Sequence, residues 1–162
     1  MSIIIKKMET DEEIKGKAYV HWKSWHEAYT GIVNQEYLDK LSLEKCEEIA
    51  YSWPDNIIVA KDGNQVIGFL GYGKYRDDEL ENAGEIYAIY LLEKYHGQGI
   101  GYKLMSEGLA ILGDYPNVAI WVLKDNKRAI NFYERCGFQL DEREETINLV
   151  TPIVETRMVL SR

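Results

Sequence analysis

The chain has 162 residues, 46% hydrophobic and 28% charged, with a formal net charge of −8. That length suits one domain, spanning 1–162, that buries about two thirds of the surface its unfolded form exposes, and the composition excludes a disordered or fibrous protein. The negative charge argues against nucleic acid as a partner, because nonspecific phosphate binding rests on Lys and Arg, and it draws cations such as amines.

The apolar run after Met1 is too short for a signal peptide, and no later stretch reaches the length that spans a bilayer, so no membrane contact and a cytoplasmic location are expected. Ile3 to Met8 reads as a strand. Thr10 followed by Glu13 is a capping-box pattern that starts a helix running to about Tyr29, with Gly31 as its stop. Asn34 and Ser42 read as N-caps for Gln35 to Leu41 and Leu43 to Ser52, closed by Trp53-Pro54. The two cysteines, Cys46 and Cys136, lie far apart with no zinc-like spacing, so reduced thiols and no metal site are expected.

Ile57 to Lys61 and Gln65 to Tyr75 are β-rich and flank Asp62-Gly63-Asn64, which tolerates the positive φ of a hairpin turn. Arg76 to Asn82 reads as a loop, and its acidic part, Asp77 to Glu81, is either a solvated turn or a receiver for a cationic ligand. Ile86 to Leu92 is apolar on both faces, the pattern of a central covered strand. From Ile100 the apolar spacing turns helical, through Leu104, Met105, Ile111 and Leu112, until Pro116. Val118 to Val122 is a short buried strand, Lys127 to Cys136 a helix ended by Gly137, and a strand pair follows around Thr146 to Leu160.

Two constellations carry chemistry. Tyr95-His96-Gly97-Gln98-Gly99-Ile100-Gly101 joins the central strand to a helix, where free backbone N–H groups and the positive helix end favour a pyrophosphate and the glycines admit it without meeting a Cβ. GxxxxGK[ST] is absent, and GxGxxG fails because Tyr102 stands at its last glycine, so neither an NTPase loop nor a dinucleotide fingerprint applies. A ligand-free tight turn has the same glycines. The second constellation sets Asn126 and Tyr133 about two turns apart on one helical face. Singly, they read as an N-cap and a core aromatic.

Together the two resemble the GNAT superfamily of N-acetyltransferases, whose motif [QR]xxGx[GA] is matched by His96-x-x-Gly99-x-Gly101. Its next motif is matched by Asn126, Ala129, Phe132-Tyr133 and Gly137-Phe138. The resemblance covers residues 57 to 140 well. It implies a mixed α/β (α+β) fold, with a mostly antiparallel sheet of about six to seven strands flanked by helices and a parallel pair at the cofactor cleft. It implies transfer of an acetyl group from acetyl-CoA, as co-substrate, to a primary amine of a small molecule, by direct attack through a tetrahedral intermediate. A protein α-amine or lysine is the other acceptor class, and a noncatalytic acyl-CoA sensor the other kind of protein. A homodimer is compatible with it.

By the same resemblance, Ile89, Tyr90, Leu91, His96, Gly97, Gln98, Gly99, Ile100, Gly101, Tyr102, Asn126 and Tyr133 contact the cofactor, with a backbone N–H near Ile89 to Leu91 as the oxyanion donor. His96 replaces the usual Gln or Arg, so CoA affinity is expected to be weaker or pH-sensitive. A lysine-like amine of pKa about 10.4 needs roughly 4–5 kcal/mol to lose its proton at pH 7. Glu85 resembles the base that would lower that cost, with a solvated strand-end charge, ordered water or His26 as alternatives, and Tyr133 resembles the general acid. Trp25, His26 and Tyr29, on the helix that walls the family's acceptor site, are the acceptor-binding candidates, although aromatic residues at that spacing also build cores.

Overall fold

A computed structural model describes residues 2–162. Strand β1 (Ile3–Lys7) leads into helices α1 (Asp11–Tyr29), α2 (Gln35–Lys40) and α3 (Leu43–Ser52), and strands β2 (Ile57–Asp62), β3 (Gln65–Lys74) and β4 (Ala83–Leu91) follow. A short 3-10 turn (Glu93–Tyr95) precedes helix α4 (Ile100–Ile111), strand β5 (Asn117–Leu123), helix α5 (Lys127–Arg135) and the hairpin β6 (Gln139–Leu149) and β7 (Thr151–Ser161). No helix among the described residues is long and apolar enough to cross a membrane.

The capping box forms as the sequence predicts: Glu13 N–H donates to Thr10 Oγ1 at 3.1 Å and Thr10 N–H to the Glu13 carboxylate at 3.0 Å. Glu13 also accepts from Glu9 N–H at 2.8 Å, Lys6 Nζ at 2.7 Å and Lys61 Nζ at 3.1 Å, so one buried carboxylate caps α1 and clamps it to β1 and β2. Burial alone would push this carboxyl up, but the Lys6 ammonium, the two backbone donors and Lys61 outweigh that and hold it well below the usual carboxylate range.

The seven strands form one sheet in the order β1-β2-β3-β4-β5-β7-β6. Every neighbouring pair is antiparallel except β4 with β5. Side chains alternate across the sheet, so α1 covers the Phe69 face through His21 and Lys17, while α4 covers the opposite face, its Gly108 lying against Leu70. The main core runs from Val20 and Phe69 through Ile86 and Leu104 to Phe138 and Met158.

Two readings of the sequence need correction. The central strand begins at Ala83, and it is not covered throughout: the register shift opposite Gly71 and Tyr72 leaves Tyr87 as an unpaired bulge residue, 51% exposed. The C-terminal pair starts at Gln139, well before Thr146, and turns at Val150 with φ 70°. A β-branched residue in that left-handed region carries none of the usual Gly or Asn turn signal.

Candidate active site

Past the bulge, β4 and β5 part. Their parallel pairing covers only Ala83↔Asn117 to Ile86↔Ile120, whereas β4 runs on to Leu91 and β5 to Leu123. The edge of β4 from Tyr87 to Leu91 that would face β5 therefore offers its backbone groups to a ligand. A cavity of about 160 Å³ fills this split. Trp25 and Tyr29 of α1, Tyr87 to Tyr90 of β4, Trp121 of β5, Asn126 and Tyr133 of α5, and Glu155 of β7 are on its walls.

Beyond the end of β4 the chain enters α4 through Gly97 and Gly99, both left-handed at φ 78° and 79°. A Cβ at either would meet nothing within 4 Å, so it is the backbone conformation, not crowding, that requires glycine. Gly99 is an N-cap without a side-chain bond, and the first amide to bond back is Lys103 N–H, to the Gly99 carbonyl at 3.2 Å. The N–H groups of Ile100, Gly101 and Tyr102 have no protein partner at the positive end of a twelve-residue helix. Gly101 serves differently: a Cβ there would stand 3.3 Å from the Phe132 ring, so its absence lets α4 close on α5. Tyr102 lies over the same ring, 5.1 Å between centroids.

His96 does not point into this cradle. Its Nε2 lies 2.9 Å from the Leu91 carbonyl, which only accepts, so Nε2 carries the proton and the ring latches the loop to the end of β4. Its buried Nδ1 has no partner. The side chain thus holds the loop, with its Nε2–H committed to the Leu91 carbonyl.

Asn126 caps α5, its Oδ1 accepting from Ala129 N–H at 3.2 Å, and borders the cavity with its amide nitrogen uncommitted. Both readings of this residue, cap and contact, are thus geometrically compatible. Tyr133 is buried on α5 and reaches the same cavity. Burial, then the nearby Tyr29, pushes its hydroxyl well above the ordinary phenol value, so it stays protonated at neutral pH.

Trp25 and Tyr29 line the cavity, their rings 4.7 Å apart and edge to face, and the Tyr29 and Tyr90 hydroxyls are hydrogen-bonded at 2.9 Å. His26 is elsewhere: it packs against Trp22, and its Nε2 lies 3.3 Å from the Leu41 carbonyl, where it fixes α1 to the turn before α3. One turn earlier, His21 stacks on Tyr90, and burial, then the Lys17 ammonium, holds its imidazole down at about 4.

Glu85 is neither a solvated strand end nor a free base. It is fully buried and accepts from Arg76 Nη2 at 2.6 Å, from Arg76 Nε at 3.2 Å and from Arg76 N–H at 3.2 Å. Arg76 also lies 5.2 Å over the Trp121 ring, so the ion pair braces β4 and β5 from below the cavity. In the acidic loop, Glu79 pairs with Arg143 at 2.6 Å. The site residues absent from the sequence reading include Arg76, Tyr87, Ala88, Trp121 and Glu155. Alternation along β7 would have put Glu155 on the face of Ile153, but a strand pair without fixed ends has no defined faces.

The sequence pattern of the acetyltransferase (GNAT) family matches residues 20–138. An uncharacterised N-acetyltransferase, YuaI, of Bacillus subtilis is 34% identical over 130 residues, covering 76% of this chain and 73% of the relative. Among solved structures, PH1933 from Pyrococcus horikoshii superposes with a TM-score of 0.77 at 25% identity, covering 99% of both chains. The PaiA N-acetyltransferase from Thermoplasma acidophilum, determined in complex with coenzyme A, superposes with a TM-score of 0.75 at 23% identity over 100% of both.

Proposed function

The chain belongs to the acetyltransferase (GNAT) family and is an acyltransferase, and from that premise we propose that it moves an acetyl group from acetyl-CoA to a primary amine of a small molecule. One observation carries the reading: β4 and β5 separate after Ile86, beside a helix N-terminus whose first three N–H groups have no protein partner. An extended pantetheine arm pairs with the free edge of β4 while its pyrophosphate takes the amides of Gly97 to Tyr102. The coenzyme A complex of the similarly folded T. acidophilum protein is consistent with this.

In this reading the acetyl thioester brings the electrophilic carbonyl, and the chain supplies the rest. A backbone N–H of Ile89 to Leu91 stabilises the developing oxyanion. Asn126 holds the pantetheine arm with its free amide. Tyr133, kept protonated by burial, gives its proton to the departing thiolate. Trp25 and Tyr29 wall the acceptor's end of the cavity. Thiol release from acetyl-CoA across polyamines, aminoglycosides, amino acids and peptides tests this. Release that depends on a small amine is expected, and release with peptides alone would overturn the acceptor class.

A further inference from the structure

Acetyl transfer needs the acceptor to arrive as an ammonium and react as an amine, and the carboxylate best placed by sequence, Glu85, is already committed to Arg76. Among the described residues on the cavity wall, Glu155 is the one carboxylate, and it has neither a hydrogen-bond nor an ion-pair partner. It extends from β7 where that strand pairs with Leu123 of β5, at the cavity end closed by Tyr29, Tyr90 and Trp25. We propose that Glu155 is the residue that receives the acceptor's ammonium in the cavity and takes its proton. This rests on the acetyltransferase reading above and adds the identity of the base and the charge of the acceptor.

Two further features point the same way. Glu155 stands directly opposite Glu145 on the neighbouring β6, a like-charge pair that costs stability in a sheet. Nothing in the fold needs that repulsion, and the nearest relief, Arg76, is 4.0 Å from Glu145 and engaged with Glu85. Burial raises the Glu155 carboxyl above its ordinary value, Arg76 opposing and Glu145 and Glu85 adding to the rise, which moves its proton affinity toward that of a working base.

The proton balance is simple. Glu155 takes one proton from R–NH3+, and the freed lone pair forms the carbon–nitrogen bond at the acetyl carbonyl. The carbon–sulfur bond then breaks, the thiolate takes the Tyr133 proton, and Tyr133 regains the proton that the new amide nitrogen sheds. Glu155 returns its own proton to solvent.

The test compares wild type with Glu155→Gln, using acetyl-CoA binding by calorimetry, melting temperature, and the pH profile of kcat/KM for each amine of the panel. Besides Glu155, the titratable and charged groups around this point are Tyr29 on α1, Tyr87, Tyr90 and Glu85 on β4, Arg76 after β3, Tyr133 on α5 and Glu145 on β6. The variant should bind acetyl-CoA as wild type does and melt no lower, while kcat/KM falls by about 10²–10⁴ and the acid limb of its profile disappears. Wild-type transfer with an undiminished variant overturns the role of Glu155 and leaves the acetyltransferase reading standing. Loss of acetyl-CoA binding or a lowered melting temperature in the variant overturns it as well, by marking Glu155 as structural. A wild type that binds acetyl-CoA and acetylates no amine overturns both.

Discussion

The Tyr133 hydroxyl is held by burial among the side chains of α5 and the sheet, yet it belongs to the wall of the β4–β5 cavity. Those two properties give a protonated donor within reach of a ligand, and they separate chemistry from binding. Tyr133→Phe should lower kcat by about 10²-fold, with unchanged acetyl-CoA affinity in a calorimetric titration, whereas a full kcat would remove the hydroxyl from the reaction. The placement of Asn126 and Tyr133 on one helix was legible in the sequence because their spacing is local. Glu85 was legible as a position but not as an environment: the partner that consumes it, Arg76, comes from a loop whose path only the folded sheet defines. Glu155 was invisible for a related reason, since its face depends on where β7 begins.

At the scale of elements, the capping box of α1 and the glycine turn into α4 were both readable, and both turned out to do more than their local patterns require. Glu13 caps α1 and receives Lys6 and Lys61, so its carboxyl is more acidic in the folded chain than in the unfolded one. Its contribution is then present above the unfolded value of about 4.3 and is lost as pH falls through and below it. Glu13→Gln should destabilise the protein in urea titrations at pH 7, and the gap to wild type should close as the pH drops below about 4. At the α4 start, Gly99→Ala places a side chain at φ 79° with no steric contact. It should cost about 1–2 kcal/mol in stability and weaken acetyl-CoA binding measured by calorimetry, because the turn that aims the amides of Ile100 to Tyr102 must change. Unaltered affinity would mean that those amides do not hold the pyrophosphate.

Across the whole molecule, the helices and inner strands followed from spacing and cap patterns, whereas β6, exposed along most of its length, left no buried face to read; the mixed sheet with one parallel pair agrees with the expected fold class. The split that makes the site was not written in any such pattern. It coincides with one residue, Tyr87, that bulges out of register with β3, and past Ile86 β4 no longer pairs with β5. The most direct measurement of the central claim is therefore a titration of the isotopically labelled protein with acetyl-CoA, followed by backbone amide resonances. The amides of Gly97 to Tyr102 and of Ile89 to Leu91 should shift together and saturate, with those of β1 and β2 unmoved. Saturable shifts confined to other elements, or no shifts at all, would contradict acetyl-CoA binding in the β4–β5 split.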